Sequence, residues 1–318
     1  MVNLASIDDL VEWQKRVDDN TKLSKLAIPG THNSEAYHTS LPSVQCQDAS
    51  VTQQLEHGIR FLDIRSGRKP LSKVVSTITA TITGSPNNSS SRDVSELYVV
   101  HGTFPVKLPN TTNLDKVLNE VYDFLSRHPS ECVMISIKQE GEGSWDGDDF
   151  PNLLWKKYVE PHQDKYYLNT DIPRLGDVRG KIFLFRRFGV QNSDLNGHFG
   201  FDAHFWNDNT TSDDRGSFSV QDFYDVKQAT DIEAKAKYVK EQAQRASDYC
   251  RDHDDKLFVN FCSASNFFDT ACWPEKITEG LTKYGLVDSF GKGCGVVVID
   301  YASKDDWNIP RALVAQNF

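Results

Sequence analysis

No stretch of this chain approaches the roughly 18 consecutive apolar residues that cross a bilayer, so any lipid contact has to be local. Positive charge is also scarce. Against 45 Asp and Glu stand 35 Lys and Arg, a net charge of −10 over 318 residues, which argues against nucleic acid as a partner and gives no general attraction to anionic lipid. Six cysteines (Cys46, Cys132, Cys250, Cys262, Cys272, Cys294) contain no CxxC pair and no zinc-type spacing. They read as buried free thiols, with disulfides as the alternative. Met1–Asp9 lacks the basic and then apolar layout of a secretory signal, which favours a cytoplasmic location. A processed secreted chain stays open, because Asn87, Asn88, Asn110 and Asn209 head sequons. No repeat of about 20 to 50 residues is present, which argues against a solenoid.

What is present is enough apolar material for a core, 38% of residues with 11% aromatic, arranged in alternation. Ser6–Val17 reads as an opening amphipathic helix capped by Ser6 and packed through Leu10, Val11, Trp13 and Val17. Short apolar runs at Leu26–Ile28, Phe61–Ile64, Leu97–Val100, Cys132–Ile137, Ile182–Phe185, Leu257–Phe261 and Gly295–Ile299 read as buried parallel strands. Helical stretches at Asn113–Arg127, Ile232–Asp252 and Pro274–Tyr284 separate several of them. Strand, helix, strand is the order of an α/β sheet or barrel, and nothing resembling a linker divides residues 1–318, so a single domain is expected. The Gly, Ser, Pro and Asn content of residues 72–92 marks a loop insertion.

Polar residues collect where the apolar runs end: His32 and Asn33, Asp63 and Arg65, His101, Lys138 and Glu140, Arg186 and Arg187, Asp300. In a parallel barrel these strand ends open on one face, where such folds place their chemistry. Two histidines, several fixed cations and a carboxylate at one mouth suit a phosphodiester, since the anion needs cationic donors and its cleavage needs proton transfer at two oxygens. Arg65 can fork two donors onto phosphate oxygens. Asp300 can orient a histidine, and Asp63, two residues before Arg65 on the same strand face, can hold its guanidinium.

The motifs carrying these residues are Leu26-Ala-Ile-Pro-Gly-Thr-His-Asn-Ser34, Gln54-Leu-Glu-His-Gly-Ile-Arg-Phe-Leu-Asp-Ile-Arg65, Val100-His-Gly102, Ser136-Ile-Lys-Gln-Glu140, Gly176–Arg187, Val220-Gln-Asp-Phe-Tyr224 and Val298-Ile-Asp-Tyr301. Together they resemble the bacterial-type phosphatidylinositol-specific phospholipase C family over nearly the whole chain. The resemblance implies a distorted, incompletely closed (βα)8 TIM-like barrel and phosphatidylinositol diacylglycerol-lyase activity, yielding diacylglycerol and inositol 1,2-cyclic phosphate. It also implies roles: His32 as general base supported by Asp300, Arg65 on the phosphoryl charge, and His101 as general acid. Lys138, Glu140, Arg187 and Asp222 match inositol-hydroxyl ligands, and Tyr224 matches an aromatic that stacks on the ring. Calcium-dependent relatives carry carboxylate ligands at the positions of Arg65 and Lys138, so no metal and no cofactor is expected here.

Bacterial members commonly place aspartate after the signature histidine as partner of the general acid, whereas this chain has Asn33. A neutral partner leads us to expect that His101 protonates at lower pH. On the loop Ser263–Pro274, Phe267, Phe268 and Trp273 are expected at the rim, facing either lipid or a neighbouring helix. The expected partners are therefore the phosphatidylinositol headgroup and a membrane surface, met peripherally by a monomer, with glycosylphosphatidylinositol anchors as a further substrate class if the glycan fits. The alternatives are a calcium-dependent, glycerophosphodiester- or sphingolipid-specific phosphodiesterase, or an inositol-lipid binding module.

Overall fold

Runs of four to seven residues rich in Val, Ile, Leu and Phe are too short for a buried helix but suit a strand covered on both faces. The computed structural model describes residues 10–38, 42–70, 95–107 and 110–318, and there the runs form β1 (Ala27–Thr31), β2 (Phe61–Gly67), β3 (Tyr98–His101), β4 (Val133–Gln139), β5 (Ile182–Arg187), β6 (Phe201–Asp202), β7 (Phe218–Gln221), β8 (Leu257–Phe261) and β9 (Gly295–Ile299). All but β3 are parallel, in the order β7-β8-β9-β1-β2-β4-β5-β6. The result is a mixed α/β unit whose sheet curls without closing.

Among the described residues no ladder joins β6 to β7. Rings fill that seam instead, with the centroids of Phe201 and Phe218 6.1 Å apart and Phe185 at 5.7 Å from Phe201 and 6.2 Å from Phe218. Side chains alternate along each strand. Phe183, Phe185, Val296 and Val298 belong to an interior cluster with Phe61, Met134 and Phe261. Their neighbours Ile182, Leu184, Val297 and Ile299 pack in the outer cluster, with Val121 and Phe124 of α1 (Leu114–Arg127) and Val239 of α2 (Asp231–Asp252). The Asn113 side chain caps α1 by accepting from Asp115 N–H.

Two expectations are corrected. The run at Leu97–Val100 does make a strand, but β3 is antiparallel to β2, with Ser66 opposite Val99 and Gly67 opposite Tyr98. That register carries His101 back to the level of Ile64 and Arg65. The opening segment is a short 3-10 turn, Trp13–Arg16, because another partner takes its backbone: Gln14 and Lys15 N–H donate to the Glu131 carboxylate at 3.3 and 3.2 Å, while the Trp13 side chain is fixed by its indole N–H donating to Gly58 O at 3.0 Å. Residues 6–9 of that expected helix, and the expected insertion at 72–92, lie outside the described residues.

Glu131 anchors the end of the barrel away from the polar strand ends. It accepts from Arg60 Nε at 3.0 Å and Nη2 at 2.7 Å, and neither side chain is exposed. Removing one partner leaves a buried charge uncompensated. Glu131→Ala is expected to lose about 3–5 kcal/mol of stability, read as a fall in the denaturant midpoint, whereas the exposed i,i+4 pair Arg127–Asp123 is worth under about 0.5 kcal/mol.

Candidate active site

Strand register assembles the site. Arg65 of β2 lies opposite Lys138 of β4, and Lys138 lies opposite Arg187 of β5, so three cations form one row across adjacent strands. Like charges at that spacing repel, and two carboxylates hold them. Asp63, fully buried on β2, lies 3.6 Å from Arg65 Nε and 3.2 Å from Arg187 Nη1. Glu140 accepts from Arg65 Nη1 at 3.2 Å, Lys138 Nζ at 2.7 Å and Gly102 N–H at 2.6 Å. Burial alone would raise the Glu140 carboxyl; Arg65 and Lys138 overcome it and hold the group well below the carboxylate range. Gly67 permits this approach, since a Cβ there would meet Glu140 O at 2.0 Å.

The pairing of β1 with β9 sets Thr31 opposite Ile299, which brings His32 and Asp300 together just past the strand ends. His32 Nδ1 lies 2.8 Å from Asp300 Oδ1. Its Nε2 lies 2.8 Å from Arg65 Nη2 and 3.1 Å from Asn33 Nδ2, both donors. This network requires the Nδ1–H tautomer, with the lone pair on Nε2. The ring of His101 faces that of His32 edge-on at 6.2 Å. His101 Nδ1 lies 3.0 Å from Val44 O, and burial, followed by the charge of Arg65, pushes its pKa down to about 4.

These side chains line a cavity of about 550 Å³ together with Asp222 and Tyr224, which follow β7. The structure thus gathers His32, Arg65, His101, Lys138, Glu140, Arg187, Asp222, Tyr224 and Asp300 in one cleft, with Asp63 buried beneath two of the cations. Asn33 departs from expectation. Its amide bonds to His32, and the direct neighbours of His101 Nδ1 are the Val44 carbonyl and, at 3.9 Å, Cys46 Sγ. Asn33 sits in the left-handed region at φ 43°, a conformation Asn tolerates, and its side chain meets His32. The His101 pKa is lowered first by burial, and Asn33 is not among the groups that lower it.

Sequence reading missed Cys46, Trp206 and Asp208, all in the cavity wall. Trp206 lies under the Arg187 guanidinium at 4.0 Å and donates Nε1–H to Asp222 at 3.0 Å. Tyr224 donates its hydroxyl to Asp208 at 2.7 Å. An aromatic pair, Phe205-Trp206, was the only signal available, and no strand run precedes it long enough to mark a strand end. At the rim, Phe267 and Phe268 are exposed, the latter 93%, and Phe104, also missed, stacks on Phe267 at 6.3 Å. Trp273 is half-buried and donates its indole N–H to Phe267 O at 3.3 Å, bracing the loop.

The sequence model of the family described as phosphatidylinositol-specific phospholipase C, X domain, matches residues 20–188. A Listeria monocytogenes protein named 1-phosphatidylinositol phosphodiesterase is 26% identical over 308 residues, covering 92% of this chain and 81% of the relative. A Staphylococcus aureus protein of the same name is 25% identical over 323 residues, covering 91% of this chain and 88% of the relative. Among solved structures, a phosphatidylinositol-specific phospholipase C of Staphylococcus aureus shares the fold with a TM-score of 0.75 at 21% identity, covering 97% of this chain and 98% of that one.

Proposed function

The chain belongs to the phosphatidylinositol-specific phospholipase C X-domain family, and from that premise and the geometry of the cleft we propose that it cleaves phosphatidylinositol to diacylglycerol and inositol 1,2-cyclic phosphate by paired histidine catalysis. One observation carries the reading: His32, locked by Asp300 in the tautomer that leaves Nε2 unprotonated, faces His101 edge-on with Arg65 at its lone pair. His32 Nε2 takes the proton of the inositol 2-hydroxyl, and that oxygen attacks phosphorus. His101 gives a proton to the departing glyceryl oxygen, so the phosphate closes into a ring without water.

Arg65 serves two partners in turn. At rest its Nη2 occupies the His32 lone pair, and among the described residues its Nε has no hydrogen-bond acceptor. An arriving phosphodiester draws the guanidinium onto its oxygens, which frees the base as the nucleophile arrives. The same anion offsets the Arg65 charge that depresses His101, so substrate favours the protonated acid. Lys138 and Glu140 exchange their bond to one another, Arg187 its bond to Asp63 and Asp222 its bond from Trp206, for bonds to ring hydroxyls, and Tyr224 covers the ring face. With Arg65 and Lys138 where calcium-dependent relatives keep carboxylates, we expect activity without metal.

The test is hydrolysis of phosphatidylinositol vesicles with EGTA and, separately, with calcium, following the cyclic phosphate by phosphorus NMR. Cyclic product in EGTA supports the mechanism. Product only with calcium overturns the metal-free part, and no product in either overturns the reading.

We place the membrane contact at Phe104, Phe267 and Phe268, whose rings pack on one another in segments that leave the cleft wall at Gly102 and at Ser265. Aromatic rings favour the bilayer interface, and among the described residues no helix is long and apolar enough to cross a membrane. Phe267→Ala with Phe268→Ala is expected to weaken vesicle binding about tenfold or more, at ~25 cal/mol per Å² of apolar area. Turnover of a soluble inositol phosphodiester should stay within about twofold, since no ring of this patch contacts the histidine pair. Unchanged co-sedimentation with vesicles removes the patch from the interface.

A further inference from the structure

Beside the histidine pair lies a thiol that the proposed reaction does not use. Cys46 is fully buried in the cavity wall, with Sγ 3.7 Å from Asn33 Nδ2 and 3.9 Å from His101 Nδ1. Its sulfur, a ring nitrogen of His32 and a carboxylate oxygen of Asp300 all lie within 4.8 Å of one another. In the same place two buried acceptors find no donor among the described residues, Asp300 Oδ2 and Asn33 Oδ1, on residues 1% and 3% exposed. A buried carboxylate oxygen without a donor is unfavourable, and this one belongs to the group that already faces a thiol and an imidazole.

Thiolate, imidazole and carboxylate make a donor set for a borderline-soft dication. Metal–ligand distances of about 2.0–2.3 Å place the donors of a tetrahedral zinc about 3–4 Å apart, so shifts on the order of 1 Å close the spacing seen here. Calcium and magnesium, which take oxygen ligands, are excluded by the same set. The loaded site is neutral overall, because one thiolate and one carboxylate balance the dication.

We propose that Cys46, His32 and Asp300 form a three-ligand site for a thiophilic divalent cation of the zinc class, and that filling it turns the enzyme off. On binding, the Cys46 thiol releases its proton to solvent and the sulfur–metal bond forms. The base is lost whichever ring nitrogen coordinates: through Nε2 the metal takes the lone pair, and through Nδ1 the ring proton moves to Nε2. The fourth position faces the cavity, where the substrate phosphate would sit. The site itself rests on geometry, while its inhibitory consequence rests on the reading of His32 as base.

Metal-depleted full-length protein titrated with Co²⁺, without lipid, should develop a near-ultraviolet thiolate-to-cobalt charge-transfer band saturating at one equivalent. The band should vanish in Cys46→Ala and persist in Cys250→Ala, which removes the half-buried thiol remote from the cleft. In the vesicle assay Zn²⁺ should inhibit and a chelator restore the rate. Cys46→Ala, measured against its own zinc-free rate, should raise the inhibitory zinc concentration more than tenfold. No band, or a band that survives in Cys46→Ala, overturns the site. A Cys46-dependent band without inhibition overturns the off-switch. The cobalt spectrum involves no substrate, so it stands or falls separately from the phospholipase C reading.

Discussion

His32→Ala is expected to lower kcat on phosphatidylinositol by about four orders of magnitude, the upper end of what a positioned general base contributes, while KM should stay within about threefold. The size follows from the geometry. Nε2 is the acceptor turned toward Arg65 and the cleft, and its tautomer is held by a 2.8 Å bond to Asp300. Alanine removes the acceptor and also leaves the Asp300 carboxylate, 1% exposed, without its partner. His101→Ala should cost a comparable factor on the natural lipid, and a change of leaving group tells the two apart. An inositol phosphodiester with a 4-nitrophenolate leaving group needs no proton on departure, so it should restore most of the rate to His101→Ala and little to His32→Ala. Equal rescue of both variants would contradict the assignment of base and acid.

Arg65→Lys is expected to reduce kcat by about 10²–10³-fold, the loss found when one preorganised donor to a developing phosphoryl charge is removed. Lysine retains the positive charge but not the fork. It cannot reach the phosphate, Glu140 and the His32 lone pair in alternation as the guanidinium does at 2.8 and 3.2 Å. Circular dichroism and the unfolding midpoint should change little, because Lys138 and Gly102 N–H still engage Glu140 and Arg187 still engages Asp63. Activity of Arg65→Lys within about threefold of wild type would remove the guanidinium from phosphate recognition.

Much of the cleft was legible because register does the assembling. Once the runs at Phe61, Cys132 and Ile182 are taken as neighbouring parallel strands, Arg65, Lys138 and Arg187 come to the same end, and the structure sets them opposite one another. What was not legible came from direction and rotamer. A four-residue apolar run such as Leu97–Val100 carries no sign of which way it runs, so the antiparallel β3 that delivers His101 had no signal. Asn33 follows His32 in the chain, yet that order does not say which histidine its amide meets. The opening segment has helical periodicity, but the Glu131 carboxylate, more than a hundred residues away, outcompetes it for backbone N–H groups. Trp206 and Cys46 sit in connecting segments, where periodicity gives no guidance.

The seam between β6 and β7 has a mechanical meaning. A hoop hydrogen-bonded all the way round resists dilation equally in every direction, whereas a slit hoop concentrates its compliance at the slit. Here the slit is held by Phe185, Phe201 and Phe218. It runs up beside Trp206, which touches Phe218 at 6.3 Å and carries Arg187 and Asp222 at its ring and nitrogen. The softest direction of the barrel therefore lies on the side of Arg187 and Asp222, where the wall can widen by the sliding of rings, with no rupture of a backbone ladder.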